Sequence, residues 1–131
     1  MKKIIVTGGN GFIGSNLINF LISKKYFVIN IDKNKYSNGS YLLNNTKKKN
    51  YKFFKLDIKN KNILNILSKY KPNAIFNLAA ETHVDRSIEA PEDFINSNIL
   101  GTFNILEQIR NYKKKYNKNL RLIHISTDEV Y

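Results

Sequence analysis

Ile4-Ile5-Val6-Thr7-Gly8-Gly9-Asn10-Gly11-Phe12-Ile13-Gly14 is the stretch that decides how this chain folds. A short β-branched run opens into closely spaced glycines, and an amphipathic helical pattern follows at once. That order reads as a strand, a tight turn and a helix start, the arrangement with which parallel α/β sheets hold dinucleotides. Gly8, Gly11 and Gly14 keep a G-x-x-G-x-x-G spacing, and Gly9 to Gly14 also satisfies G-x-G-x-x-G. Lacking a Cβ, such a turn lets a pyrophosphate approach the backbone, and the last glycine lets the helix pack closely on the strand. Amides at the helix N-terminus then face the negative charge.

Outward from this turn, strand and helix patterns alternate. Lys3 to Thr7 is the first predicted strand. A helix from Phe12 to Ser23 would turn Ile13, Leu17, Phe20 and Leu21 to one face. Phe27 to Ile31 forms a second strand ending at Asp32, and the polar stretch from Lys33 to Asn50 reads as a long loop. Lys52 to Leu56 is a third strand, followed by Asp57. Ile63, Ile66, Leu67 and Tyr70 mark a short helix that stops before Pro72, as a proline requires. Ala74 to Leu78 is almost wholly apolar, as a strand covered on both faces should be. Pro91, Glu92 and Asp93 suit a helix opening. Ile95, Ile99, Phe103, Leu106 and Ile109 continue it, and Lys113 to Lys115 suit its negative end. Leu120 to Ile125 is the fifth strand. With no repeat or linker, the pattern predicts one α/β domain over residues 1–131, a doubly wound parallel sheet with right-handed crossovers.

Composition narrows the function classes. A length of 131 residues suits one domain and buries roughly two-thirds of its unfolded surface. Cysteine is absent, which excludes disulfides and thiolate metal sites, and no metal is expected. The apolar run before the glycines is too short for a signal peptide, and no stretch approaches a membrane span, so a cytoplasmic location is expected. The net charge of +12 is carried almost entirely by lysine, against three arginines, Arg86, Arg110 and Arg121. Asparagine is equally abundant. The balance reads as solvated surface rather than a specific nucleic-acid site.

Asp32 lies about 20 residues beyond the glycines, where a carboxylate accepts both ribose hydroxyls and repels a 2′-phosphate, favouring NAD over NADP. Lys33 and Lys35 temper that preference, because basic residues can accept the phosphate. Asp57-Ile58 ends the third strand where an adenine would lie. Asn77-Leu78-Ala79-Ala80-Glu81 closes the fourth, its alanines leaving room for a passing cofactor. After the fifth strand come Ser126-Thr127-Asp128-Glu129. Two adjacent acids beside a hydroxyl could serve as proton donor and acceptor, or form a turn with a helix cap. His124 reads as a packed or backbone-bonded strand histidine. His83 and Arg86 read as anion contacts or caps.

With Asp32-Lys33, Leu56-Asp57-Ile58, Ala79-Ala80-Glu81-Thr82-His83-Val84-Asp85-Arg86-Ser87, Asn98-Ile99-Leu100-Gly101-Thr102 and Ser126-Thr127-Asp128-Glu129-Val130-Tyr131 in this order, the chain resembles the dTDP-glucose 4,6-dehydratases. These belong to the extended short-chain dehydrogenase/reductase group, and the resemblance covers all 131 residues. It implies a Rossmann-type domain with NAD as cofactor, and dehydration of dTDP-glucose to the 4-keto-6-deoxy sugar nucleotide for deoxysugar synthesis. Gly8, Gly11, Phe12, Ile13, Gly14, Asp32, Lys33, Asn34, Lys35, Asp57, Ile58, Leu78, Ala79, Ala80 and Ser97 would surround the cofactor. Thr82 and Thr127 would contact the sugar, Thr127 orienting the C4 hydroxyl. By the same resemblance, Glu129 would remove the C5 proton and Asp128 would protonate the departing C6 hydroxyl.

Members of that family are much longer and carry a downstream Tyr-x-x-x-Lys pair whose tyrosine deprotonates the C4 hydroxyl. Tyr131 is not that tyrosine, and no pair here suits the role. The expectation is therefore a five-stranded domain truncated after its fifth strand, with the sugar-nucleotide domain absent, an open sheet edge and no turnover alone. In full-length relatives the helix after the fourth strand contributes to a homodimer; Phe94 to Tyr112 would do so here for the full-length protein, its partner helix being absent from this sequence. A UDP-glucose 4,6-dehydratase and a non-catalytic NAD-binding module are the alternatives.

Overall fold

In the computed structural model, which describes residues 1–34 and 48–126, apolar side chains alternate along the central strands and build a core on each side of one sheet. The elements run in the order β1 (Lys3–Thr7), α1 (Phe12–Ser23), β2 (Phe27–Asp32), β3 (Tyr51–Lys55), α2 (Ile63–Tyr70), β4 (Ala74–Asn77), α3 (Val84–Glu89) and α4 (Pro91–Phe94). A π-helical segment (Ile95–Gly101), α5 (Thr102–Tyr116) and β5 (Arg121–His124) complete them. The strands lie where the sequence predicts them, their ends displaced by about a residue. All neighbours are parallel, in the order β3-β2-β1-β4-β5. The chain therefore winds outward from β1 in one direction, then returns to start again at β4. The crevice between β1 and β4 is the topological switch point where such sheets place ligands.

Ile5, Ile29, Ile31 and Ile75 pack with Ile63, Leu67, Ile105 and Tyr112 of α2 and α5. On the opposite side, Ile4, Val6 and Val28 pack with Ile18, Leu21 and Ile22 of α1. Beside α1, an open groove of about 680 Å³ runs past β4 and β5, with Phe76 and Ile123 among its lining residues. No further strand pairs with β5 among the described residues. Helices α2 and α5 end in left-handed residues, Lys71 before Pro72 and Asn117 after the lysine run. Asparagine tolerates that conformation, and the lysines oppose the helix dipole.

One expected helix face is corrected. In α1 the inward residues are Gly14, Ser15, Ile18, Leu21 and Ile22, whereas Ile13 and Phe20 are 63% and 58% exposed. Close seating of Gly14 on the preceding turn rotates the helix away from the face that hydrophobicity alone suggests. The long helix after β4 turns Ser97, Gly101, Ile105, Gln108 and Tyr112 inward. Its apolar stripe of Ile95, Ile99, Phe103 and Leu106 lies on the surface. Gly101 lets the helix come close at one point, since a Cβ there would overlap Ile58 Cδ1.

Leu67 is fully buried between α2 and the sheet. Replacing Leu67 with Ala is expected to cost about 2–5 kcal/mol, read as a lower urea midpoint at unchanged slope.

Candidate dinucleotide site

The glycine turn is a set of backbone contacts that side chains would prevent. Gly8 is left-handed, with φ +67°, and a Cβ there would stand 2.7 Å from the Ala79 nitrogen. At Gly14 a Cβ would overlap the Gly8 carbonyl oxygen and lie 2.7 Å from Gly9 Cα. The turn closes through Gly11 N–H to Gly8 O at 3.2 Å, and α1 begins with Ser15 N–H to Gly11 O at 2.9 Å. No side chain caps α1, and no acid occupies its first turn. Its uncapped amides and positive dipole end suit an anion. Phe12 and Ile13 are exposed beside them.

Asp32 is bound to this turn. Its Oδ2 accepts the Asn10 amide at 3.0 Å and its Oδ1 accepts the Asn34 amide at 2.6 Å. Each oxygen keeps lone-pair capacity for a further donor. Asn10 Nδ2 donates to Asn34 Oδ1 at 2.9 Å, and Asn30 Nδ2 donates to both Asn10 Oδ1 (2.8 Å) and the Tyr51 hydroxyl (3.0 Å). Asn30 is fully buried beneath Gly9. Burial pushes the Tyr51 phenol above its ordinary value of 10.0; the Asn30 hydrogen bond opposes the rise and the Asp32 charge adds to it.

A second polar row crosses three strand ends. Thr7, Asn77 and His124 lie in register on β1, β4 and β5. The Thr7 hydroxyl donates to Asn77 Oδ1 at 2.5 Å, and Asn77 Nδ2 donates to His124 Nδ1 at 3.0 Å. That geometry leaves the His124 proton on Nε2 in the neutral ring. His124 is thus an exposed, side-chain-bonded residue rather than a packed one. The Ala79 amide donates to Thr7 Oγ1 at 3.3 Å, holding the β4 exit against the glycine turn. Glu81, 6% exposed, pairs with Lys33 at 3.1 Å.

Gly8, Gly11, Gly14, Asp32, Lys33, Asn34, Leu78, Ala79 and Ala80 therefore gather at the carboxyl ends of β1, β2 and β4. Asp57 lies after β3, where its Oδ1 accepts the Lys59 amide at 2.9 Å as a turn cap. Ile58 is a core side chain under Gly101, and Ser97 is buried on the π-helical segment. Thr82 and His83 are exposed after β4. Lys35, Thr127, Asp128 and Glu129 lie outside the described residues, as does most of the predicted loop from Lys33 to Asn50. Ser126 is the last described residue, two positions beyond the end of β5. One literal Tyr-x-x-x-Lys spacing, Tyr51 to Lys55, falls on β3. Four residues of strand separate its members by about 13 Å, with Tyr51 at the amino end, far from the strand's exit.

The sequence reading assigned nothing to Asn10 or Asn30, nor to Tyr51 that supports Asn30, and for Asn77 and Glu81 it placed the segment without the bonds they make. Asn30 carried a signal, as a single amide within an apolar strand. No group of three metal-ligating side chains occurs among the described residues, and no helix there is long and apolar enough to cross a membrane.

Residues 5–131 match the family described as GDP-mannose 4,6 dehydratase. The chain is 48% identical to the dTDP-glucose 4,6-dehydratase of Haemophilus influenzae, covering 100% of this chain and 41% of the relative. It is 46% identical to the dTDP-glucose 4,6-dehydratase of Escherichia coli, over 98% of this chain and 38% of that one. The chain thus spans about two-fifths of the length of these relatives. Among solved structures, the Bacillus anthracis dTDP-glucose 4,6-dehydratase in complex with NAD aligns with TM-score 0.83 and 34% identity, over 100% of this chain and 39% of that one. The Thermotoga maritima UDP-glucose 4-epimerase with UDP-glucose aligns with TM-score 0.81 and 31% identity, over 95% and 38%.

Below pH 10 the Tyr51 phenol is protonated whether the chain is folded or not. As pH rises through 10, the unfolded phenol ionises first, and the folded state loses relative stability. Between about pH 9 and 11, urea midpoints of the native chain are expected to fall more steeply than those of Tyr51→Phe.

Proposed function

The chain belongs to the GDP-mannose 4,6 dehydratase family, and on that premise we propose that it forms the NAD-binding part of a dTDP-glucose 4,6-dehydratase. The observation that carries this reading is the bond between Asp32 and the Asn10 amide, which joins a ribose-recognising carboxylate to the phosphate-binding turn. The cradle fits the group. Gly8 and Gly14 leave backbone where a Cβ would collide, and the first turn of α1 offers amides without a competing cap. The pyrophosphate would lie on residues 8–14, and the adenosine ribose on residues 32–35. Asp57 and Ile58 would flank the adenine, Leu78 to Ala80 would lie alongside the diphosphate, and Ser97 would approach the nicotinamide side.

Bound NAD⁺ supplies a reversible hydride acceptor. This chain's own residues handle protons and orientation. Thr127 orients the C4 hydroxyl, and Thr82 holds the sugar. Glu129 removes the proton at C5 once a neighbouring ketone has acidified it, and Asp128 protonates the departing C6 hydroxyl so that water leaves. Adjacent carboxyls with opposite proton roles require environments that separate their pKa values. We propose a cytoplasmic location, where nucleotide sugars are made. The outward stripe of Ile95, Ile99, Phe103 and Leu106, each at least half exposed, supports a homodimer through this helix.

Calorimetric titration with NAD⁺ tests the cofactor reading. Saturable binding is expected, with Asp32→Asn weakening it about tenfold through loss of charged hydrogen bonds, and Gly14→Ala abolishing it. A folded chain with no NAD⁺ binding would overturn the reading. For the assembly, sedimentation is expected to give a dimer that Phe103→Glu converts to monomer with unchanged circular dichroism.

A further inference from the structure

Two lysines adjoin Asp32 in the sequence, and basic residues at this corner are what accommodate a 2′-phosphate in place of a free hydroxyl. The structure commits one of them elsewhere. Lys33 Nζ lies 3.1 Å from Glu81 Oε1, and the side chains are 32% and 5% exposed respectively. Lys33 follows β2 and Glu81 follows β4, the two neighbours of β1, so the pair spans the sheet end from which the glycine turn departs. Glu81 sits on a fixed base. Its amide donates to Asn98 Oδ1 at 2.9 Å, and its carbonyl accepts Asn98 Nδ2 at 3.0 Å.

A carboxylate this deeply buried requires a counter-charge, and withdrawing the ammonium would leave it uncompensated. Seen from the ribose corner, the pair is close to neutral. Lys33 then offers little net attraction to a phosphate dianion, while Asp32 repels one. We propose that Glu81 is a cofactor-specificity residue. By sequestering Lys33, it keeps the corner selective for the dinucleotide with a free 2′-hydroxyl, NAD⁺, against its 2′-phosphorylated counterpart, NADP⁺. This deepens the NAD-binding reading and rests on it.

Titrating the purified chain with NAD⁺ and with NADP⁺ at low ionic strength tests the proposal through dissociation constants, without catalysis. The native chain is expected to prefer NAD⁺. In Glu81→Gln, NADP⁺ affinity relative to NAD⁺ is expected to rise about fivefold, the size of a partly screened charge contact. The double variant K33Q/E81Q is expected to cancel that gain. Should Glu81→Gln fold poorly, the double variant still tests the idea: it deletes the ammonium without unmasking a carboxylate, and should leave NADP⁺ affinity within about twofold of the native chain. A larger loss there would mean the ammonium already serves the phosphate, and would overturn the proposal. So would an unchanged cofactor ratio in Glu81→Gln while NAD⁺ still binds, which spares the cofactor reading. A folded native chain that binds neither dinucleotide overturns both.

Discussion

Backbone lies directly on backbone where α1 leaves β1, and the rest of the site depends on that contact. With no Cβ at Gly14, the helix start presses against the Gly8 carbonyl. With none at Gly8, the turn presses against the Ala79 amide as β4 ends. These approaches put a positive helix end at the switch point of the sheet, with strand exits on either side. They also bring the Asn10 amide within reach of Asp32, 22 residues away. The geometry of the crevice is thus set by missing atoms more than by attractive groups.

Local rules made much of this legible in the sequence. Strand identity, the glycine turn, the stop before Pro72 and the acid that ends β2 each depend on a few neighbouring residues. What escaped reading depends on partners far along the chain. Asn30 and Tyr51 are 21 positions apart, Lys33 and Glu81 are 48, and Thr7 and Asn77 are 70. Nothing in the composition of either partner announces such a pairing. The α1 face was misjudged for a related reason: hydrophobicity favoured Ile13 and Phe20 as core, but the seating of Gly14 chose the orientation.

The polar residues at the sheet's carboxyl end are largely satisfied within the protein. Asp32 is held by two amides, Glu81 by one ammonium, and Asn77 by Thr7 and His124. Such networks keep strand ends in register and leave few alternatives for the loops that follow them. The excess of lysine elsewhere therefore says little about this corner, where Lys33 is paired with Glu81 and Asp32 is held by backbone amides.

The π-helical turn at Ile95–Gly101 has a consequence for how this helix changes over time. A widened turn accommodates one more residue than an α-turn, and each residue in a helix is worth about 100° of rotation. Gain or loss of a single residue at this turn would therefore rotate all of α5 about its own axis, carrying Ile105, Gln108 and Tyr112 away from the core they now fill. The widened turn thus works as an angular setting, fixing at once which residues of α5 are buried and which stripe is left facing outward.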